Sequence, residues 1–329
     1  MTADVMVLSA ADVAALFDPA TAVESQRVAF EALGKGVAVQ PDKLMLPGAG
    51  DGAVAFCYAA RLSPQDGPVS KFGSVTPANA AAGLPTIAAV VVVLDGGTGL
   101  PAAIMDGTVI TTRRTAAASA VAVDALARAD AAELAVVGCG VQGHEHVRML
   151  ARTRPLRAVR IWGRSESRRE AAARTLAAET GLPVRACATA REAVDGADVV
   201  VLCTLSAEPL VRLDWLAPGA TVVSVGSIAP GRCEVGADVV AAARVVVDDP
   251  ATAAAHAGPI VAGLRAGTLA RDRLTGLGDV LVGNAAGRSA PDELVFYNST
   301  GLGVQDAAAA TAVLERARRA GRGHRFALG

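Results

Sequence analysis

The sequence predicts an α/β protein: a doubly wound parallel sheet in the middle of the chain, and an antiparallel-rich α+β region split between its two ends. Three observations carry this expectation. Apolar content is 52% but aromatics are only 3%, so the apolar residues are mostly Ala and Val, which suit helices packed closely on β-branched strands. Short apolar runs broken by Pro and Gly clusters fill the first third. Beyond residue 130, strand-like runs alternate with helical stretches, the pattern of βαβ units.

In chain order, residues 20–36 read as a helix with Thr21 as N-cap and Gly34 and Gly36 at its end. Strand-like pieces follow at 43–46, 53–59, 69–75 and 87–94, and Asp95-Gly96-Gly97-Thr98-Gly99 reads as a hairpin turn into a strand at 101–105. Residues 112–128 are Ala-rich without Gly or Pro, which predicts a long linking helix. Parallel strands are expected at 134–137, 159–162, 199–203, 221–225 and 245–247. A last Ala-rich helix after Gly303, with Arg316, Arg318 and Arg319 at its basic end, is expected to rejoin the first region. The predicted domains are therefore 1–116 with 303–329, around 117–302.

Composition excludes several classes. A net charge of −1 leaves no basic excess for a phosphate backbone, so no nucleic-acid partner is expected. The longest apolar run, Ile87–Leu94, is far short of the roughly 20 residues of a membrane span. Asp4, Asp12 and Asp18 stand near the start with no Lys or Arg before residue 21, the wrong charge pattern for a targeting signal. A cytoplasmic location with no membrane partner is expected. Cys57, Cys139, Cys187, Cys203 and Cys233 form no CxxC pair, so neither disulfides nor zinc are indicated, and small buried thiols are expected. His144 and His146 lie two apart on a predicted helix and point to different faces, a poor chelate. No metal is expected.

Gly138-Cys139-Gly140-Val141-Gln142-Gly143 matches GxGxxG directly after a predicted strand and at the start of a predicted helix. That is the Rossmann-type dinucleotide loop: a tight turn at Gly138, close backbone approach to a pyrophosphate at Gly140, and helix–strand packing at Gly143. Helix N-terminal N–H groups then face the phosphates. An acid that would hold a ribose 2′-hydroxyl is expected about 20 residues on. Trp162-Gly163-Arg164-Ser165-Glu166-Ser167-Arg168 instead offers Arg164, Ser165 and Arg168, which suit a 2′-phosphate and favour NADP(H) over NAD(H). The alternative is that these arginines are solvated and Glu166 binds the ribose.

Three segments together resemble the ornithine cyclodeaminase/mu-crystallin family across nearly the whole chain. They are Met105-Asp106-Gly107-Thr108 through Thr111-Thr112-Arg113-Arg114-Thr115-Ala116-Ala117, the GxGxxG loop, and Tyr297-Asn298-Ser299-Thr300-Gly301 with Asp306. Arg160-Ile161-Trp162-Gly163-Arg164-Ser165 most resembles the mu-crystallin branch, which uses NADPH. The resemblance implies a homodimer whose discontinuous domain binds a small amino or imino acid. It implies a carboxylate clamp of Lys43, Lys71 and Arg114, with Ser227 and Asn298 near the substrate and Lys71 and Arg114 catalytic. It also implies cofactor contacts from Thr86, Arg114, Thr115, the 138–143 loop, Thr204, Leu205, Val225, Gly226 and Ser299.

The only lysines are Lys35, Lys43 and Lys71. Lys35 reads as a helix-end cation. Lys71 lies mid-strand, where an ammonium is costly to bury; its alternative reading is an edge-strand solubility residue. Lys43 stands where relatives usually have Arg, which keeps the charge but loses the planar fork. In Gly226-Ser227-Ile228-Ala229-Pro230-Gly231-Arg232, Ile228 takes the place of the aspartate of ornithine cyclodeaminases and can neither accept a proton nor hold an amine. The expectation is an NADPH-dependent reductase of a small imino acid, or the reverse dehydrogenase. A cyclodeaminase and a non-catalytic NADPH- or ligand-binding protein are the alternatives.

Overall fold

The computed structural model describes residues 4–48 and 52–328; residues 1–3 and 329, at the ends of the expected split domain, and 49–51 lie outside it. The chain opens with β1 (Asp4–Leu8), α1 (Ala10–Leu16) and α2 (Pro19–Gly34), then β2 (Leu44–Pro47), β3 (Val54–Ala60), β4 (Val69–Val75), β5 (Ile87–Leu94), β6 (Pro101–Asp106) and α3 (Gly107–Leu126). Next come β7 (Glu133–Val137), α4 (Val141–Thr153), β8 (Ala158–Trp162), α5 (Glu166–Thr180), β9 (Val184–Ala186), α6 (Ala190–Val194), β10 (Val199–Leu202) and β11 (Thr221–Ser224). The remaining elements are α7 (Ala237–Ala242), β12 (Arg244–Val247), α8 (Pro250–His256), α9 (Gly258–Arg265), β13 (Thr275–Gly276), α10 (Leu277–Leu281), β14 (Val295–Asn298), α11 (Gly303–Ala320) and β15 (His324–Ala327).

Two compact units result, Met1–Arg114 with Leu302–Gly329, and Thr115–Gly301. In the first, seven strands run in the order β15-β1-β6-β5-β4-β3-β2. All neighbours are antiparallel except β1 and β6. Strand alternation buries Val69, Lys71 and Gly73 and exposes Phe72. Helix α11 packs on the buried face against β3, β4, β5 and α2. Helix α2 is capped by Asp18, whose side chain accepts the Thr21 N–H at 2.8 Å. Thr21 is thus the donor and not the expected N-cap, because Pro19 at the first helical position sets the start earlier.

In the second unit, eight parallel strands run β13-β12-β14-β11-β10-β7-β8-β9. The first strand in sequence, β7, lies between β8 and β10, so chain order reverses between β7 and β10. That reversal is the switch point, where crevices open outside the strand C-termini. Val dominates β7, β10 and β11, and β14 adds Phe296 and Tyr297; all four strands are buried almost throughout, as a sheet covered on both faces requires.

Candidate active site

The first unit concentrates charge in its interior. Lys71 is 1% exposed on β4, which is flanked on both sides by β3 and β5, so the edge-strand reading fails. Its Nζ lies 2.7 Å from Asp306 Oδ2 and donates to Thr111 Oγ1 at 3.3 Å. Arg114, one helical turn beyond Thr111 on the same face of α3, donates from Nε to Asp306 Oδ1 at 3.1 Å and from Nη1 to Gln305 Oε1 at 3.3 Å. Asp306 and Gln305 come from the first turn of α11, and both are buried.

Beneath the ammonium lie the rings of Tyr58 and Phe56, 4.9 and 5.6 Å from Nζ, and Lys43 Nζ lies 5.8 Å from the Tyr58 ring centre. Burial is the main cause that brings the Lys71 pKa down from 10.5 to about 8; Asp306 opposes the shift, and Arg114 and Lys43 add to it. Two cations thus meet at one carboxylate, leaving positive charge for an anionic ligand.

The second unit builds shape at the C-terminal ends of its strands. Gly138 has φ of 124°, and a Cβ there would lie 2.5 Å from the Cys203 carbonyl oxygen. At Gly143 a Cβ would lie 1.9 Å from the Gly138 carbonyl oxygen, whereas at Gly140 nothing approaches within 4 Å. Gly140 caps α4 without a side-chain bond, so the first-turn N–H groups are offered outward beside an open backbone. One turn further along, buried His146 bonds through Nδ1 to the Gln142 carbonyl at 2.7 Å and through Nε2 to Ser119 Oγ at 2.9 Å. Burial lowers its pKa to about 4, so it braces the loop as a neutral ring. Beyond β8, Arg164, Ser165 and Arg168 are exposed at the start of α5, where Ser165 is the N-cap. Glu166 is exposed and 3.4 Å from Arg169.

At the next strand ends a second carboxylate is buried. Glu234 accepts from Thr204 N and Oγ1 at 2.6 and 2.7 Å, from Ser224 Oγ at 2.7 Å and from Gly226 N at 2.8 Å. Burial raises its pKa while these hydrogen bonds oppose the rise. Asp248, at the end of β12, similarly accepts from Thr300 N at 2.6 Å and Gly301 N at 2.8 Å.

With the geometry in hand, comparison with known proteins places the chain. The model of the ornithine cyclodeaminase/mu-crystallin family matches residues 3–321. The chain belongs to that family. A Δ(1)-pyrroline-2-carboxylate/Δ(1)-piperideine-2-carboxylate reductase of Azospirillum brasilense is 33% identical over 320 residues, 96% of this chain and 97% of its own length. The Δ(1)-pyrroline-2-carboxylate reductase of Thermococcus litoralis, solved with NADH and L-proline, is similar at a TM-score of 0.93 and 27% identity, covering 97% of this chain and 99% of that one. An archaeal alanine dehydrogenase dimer with bound NAD gives 0.92 and 28%, covering 99% and 100%. These relatives act on small imino or amino acids, and both solved structures carry NAD in one redox form.

Within the family frame, Lys71 and Arg114 meet at Asp306, and Lys43 lies against the same ring as Lys71. The segments of Thr204, Leu205, Val225 and Gly226 are adjacent at the ends of β10 and β11, with Leu205 exposed and Val225 buried. Ser227 is fully buried: its hydroxyl accepts from Glu234 N at 3.1 Å and donates to Ser224 Oγ at 2.8 Å, since the Ser224 proton goes to Glu234, which makes it part of the Glu234 network. Asn298 is buried, with Nδ2 donating to the Ser299 carbonyl at 3.4 Å and no partner for Oδ1 among the described residues. Ser299 is buried and bonds through its N–H to the Ser224 carbonyl. Thr115 is buried, and its carbonyl accepts from Ser119 Oγ. Thr86 is exposed just before β5 and contributes its carbonyl to Thr76 N–H. Of the cysteines only Cys187 is buried and the other four are half-buried, a correction to the expectation of five buried thiols. Sequence reasoning assigned no role to Asp306 and overlooked Glu234, Asp248 and the bracing function of His146.

Proposed function

We propose that the chain is an NADPH-dependent reductase that converts a small cyclic imino acid to the amino acid, and runs the reverse dehydrogenation at the same site. The observation that carries this reading is the buried Lys71, paired with an Asp306 that Arg114 also holds, so that positive charge exceeds negative there. A substrate carboxylate is matched by Lys43, Lys71 and Arg114. Lys71, protonated below about pH 8, supplies the proton that the imine nitrogen gains as its carbon is reduced, directly or through a water it orders.

The residues of the 138–143 loop fit a dinucleotide: open backbone at Gly140 and an uncapped helix start, beside positions where side chains are sterically barred. Bound there, a reduced nicotinamide supplies a hydride. Arg164, Ser165 and Arg168, exposed at the end of β8, support the 2′-phosphate form. Ile228 supports reduction over cyclodeamination, since no acid stands where a cyclodeaminase holds or deprotonates its amine.

The reading also carries a cytoplasmic homodimer. Five free cysteines suit a reducing compartment, and no helix among the described residues is long and apolar enough to cross a membrane. On the outer sheet face Leu44, Cys57, Phe72 and Val90 are cross-strand neighbours, with Leu44 55% and Phe72 51% exposed. A second copy of the chain fits this apolar row, as in the dimeric alanine dehydrogenase relative. Light scattering of the native chain and of Phe72→Glu tests it: a native dimer turned to monomer is expected.

The functional test is loss of NADPH absorbance with Δ(1)-pyrroline-2-carboxylate and Δ(1)-piperideine-2-carboxylate, run beside an assay for ammonia from ornithine. Imine-dependent NADPH consumption without ammonia release is expected. Ammonia release from ornithine overturns the reductase reading, and cofactor binding without any turnover leaves the protein a binder.

A further inference from the structure

The cofactor reading leaves two buried acids of the second unit, Glu234 and Asp248, without a role, and Glu234 is the one that ties together the ends of two adjacent central strands. Glu234 is fully buried and makes no ion pair with a cation among the described residues; its oxygens face two backbone N–H groups and two hydroxyls. Its partners lie on the segments that follow two adjacent strands, Thr204 after β10 and Gly226 after β11. Glu234 is also the last member of a brace of three consecutive residues. The Arg232 guanidinium donates to the Leu205 carbonyl, the Cys233 N–H donates to the Ser206 carbonyl at 2.8 Å, and the Glu234 side chain holds Thr204. Residues 232–234 thus grip residues 204–206 one for one. The two loops approach so closely that a Cβ at Gly226 would lie 1.6 Å from the Thr204 carbonyl oxygen.

The placement of this brace in the sheet gives it a direction. The phosphate loop follows β7, and the residues suited to a 2′-phosphate follow β8 on one side of it. A dinucleotide whose adenosine half lies over β8 and whose pyrophosphate lies over β7 carries its other half across the switch point, over β10 and β11. We infer that Glu234 is a positioning residue for the nicotinamide half of the cofactor, acting through Thr204 and Gly226, whose loops form the wall on that side. The inference rests on the dinucleotide reading above. A carboxylate suits the task because each oxygen must accept from a backbone N–H and a hydroxyl at once. Glutamine, of the same shape, turns an NH₂ group toward one of those N–H donors, leaving it unsatisfied.

The test separates the two halves of the ligand. Binding of NADPH and of 2′,5′-ADP, which lacks the nicotinamide half, is titrated on the native chain and on Glu234→Gln, with NADH and 5′-AMP as the parallel pair. Glu234→Gln is expected to weaken the dinucleotide by about tenfold or more and to leave the adenosine fragment within about twofold. Thr204→Val removes only the hydroxyl bond and keeps the backbone one, so a smaller loss with the same selectivity is expected; it carries the test if the Glu234 variant does not fold. Parallel weakening of dinucleotide and fragment overturns the inference, as does full dinucleotide affinity in a folded Glu234→Gln. A native chain that binds neither dinucleotide overturns the cofactor reading itself, a result distinct from both.

Discussion

Asp306 and Glu234 are both buried carboxylates in sites the sequence motifs mark, yet their surroundings are opposite. Asp306 faces the cations Lys71 and Arg114, whereas Glu234 faces backbone N–H groups and hydroxyls. The first arrangement stores charge: a single carboxylate between two cations keeps them folded in place while leaving them a net attraction for an anion. The second stores shape, because a carboxylate bonded only to neutral donors fixes loops without adding a cation for a ligand to meet. Attracting a small acid calls for the first arrangement, and orienting a large cofactor calls for the second.

The charged region predicts the larger effects. Lys71→Met removes the proposed proton donor and one arm of the proposed clamp, and turnover is expected to fall by roughly 10²–10⁴ while dinucleotide affinity, proposed to reside in the other unit, is unchanged. Steady-state rates and a cofactor titration check this; retained turnover would remove the catalytic assignment. Asp306→Asn leaves two buried cations facing each other, and breaking such a pair is expected to cost about 3–5 kcal/mol of stability, read from urea unfolding. It also has a signature in pH. Lys71 is protonated below about 8, so imine reduction is expected to be full below that value and to fall with a one-proton slope as pH rises through it. Asp306 holds the Lys71 value up, so Asp306→Asn moves that limb to lower pH. Between about 8 and 10.5 the unfolded chain holds a proton that folded Lys71 has released, so this group makes stability rise with pH across that window. An activity limb unmoved in Asp306→Asn would separate the pair from catalysis.

The same contrast explains what was legible. The 138–143 loop could be read from six residues because its requirements are local: a turn, an open backbone and a close packing contact all fall within the motif. Strands β4 and β5 match the expected 69–75 and 87–94 because Pro and Gly clusters bound both segments, and β5 is in addition an apolar, largely β-branched run. Strands β1, β9, β13, β14 and β15 escaped: β9 and β13 are three and two residues long, β15 is exposed throughout, β14 is buried throughout, and β1 buries the adjacent Val5 and Met6, so none shows a clean alternation. The partners of the two carboxylates escaped for a different reason. Arg114 and Asp306 are 192 residues apart, and Thr204 and Glu234 are 30 apart, so each pairing exists only once the sheets have formed. Lysine scarcity was the one compositional trace of the charged cluster; the Glu234 brace left none.

The smallest expected effect tests how far the neutral, shape-building unit uses charge at all. Arg164 and Arg168 are exposed at the start of α5, so solvent screens them far more than the buried Lys71. A 2′-phosphate would nonetheless gain charge-assisted hydrogen bonds from them, and the Ser165 N-cap holds the helix start from which Arg168 projects. Arg164→Ala and Arg168→Ala are each expected to raise the KM for NADPH by about tenfold or less, to leave that for NADH unchanged and to leave kcat intact. Raising ionic strength should shrink the difference between NADPH and NADH in the native chain for the same reason. If the native chain prefers NADH and neither substitution alters the ratio, the arginines are solvated helix-start residues and the adenosine end of the site, like the Glu234 brace, works by shape.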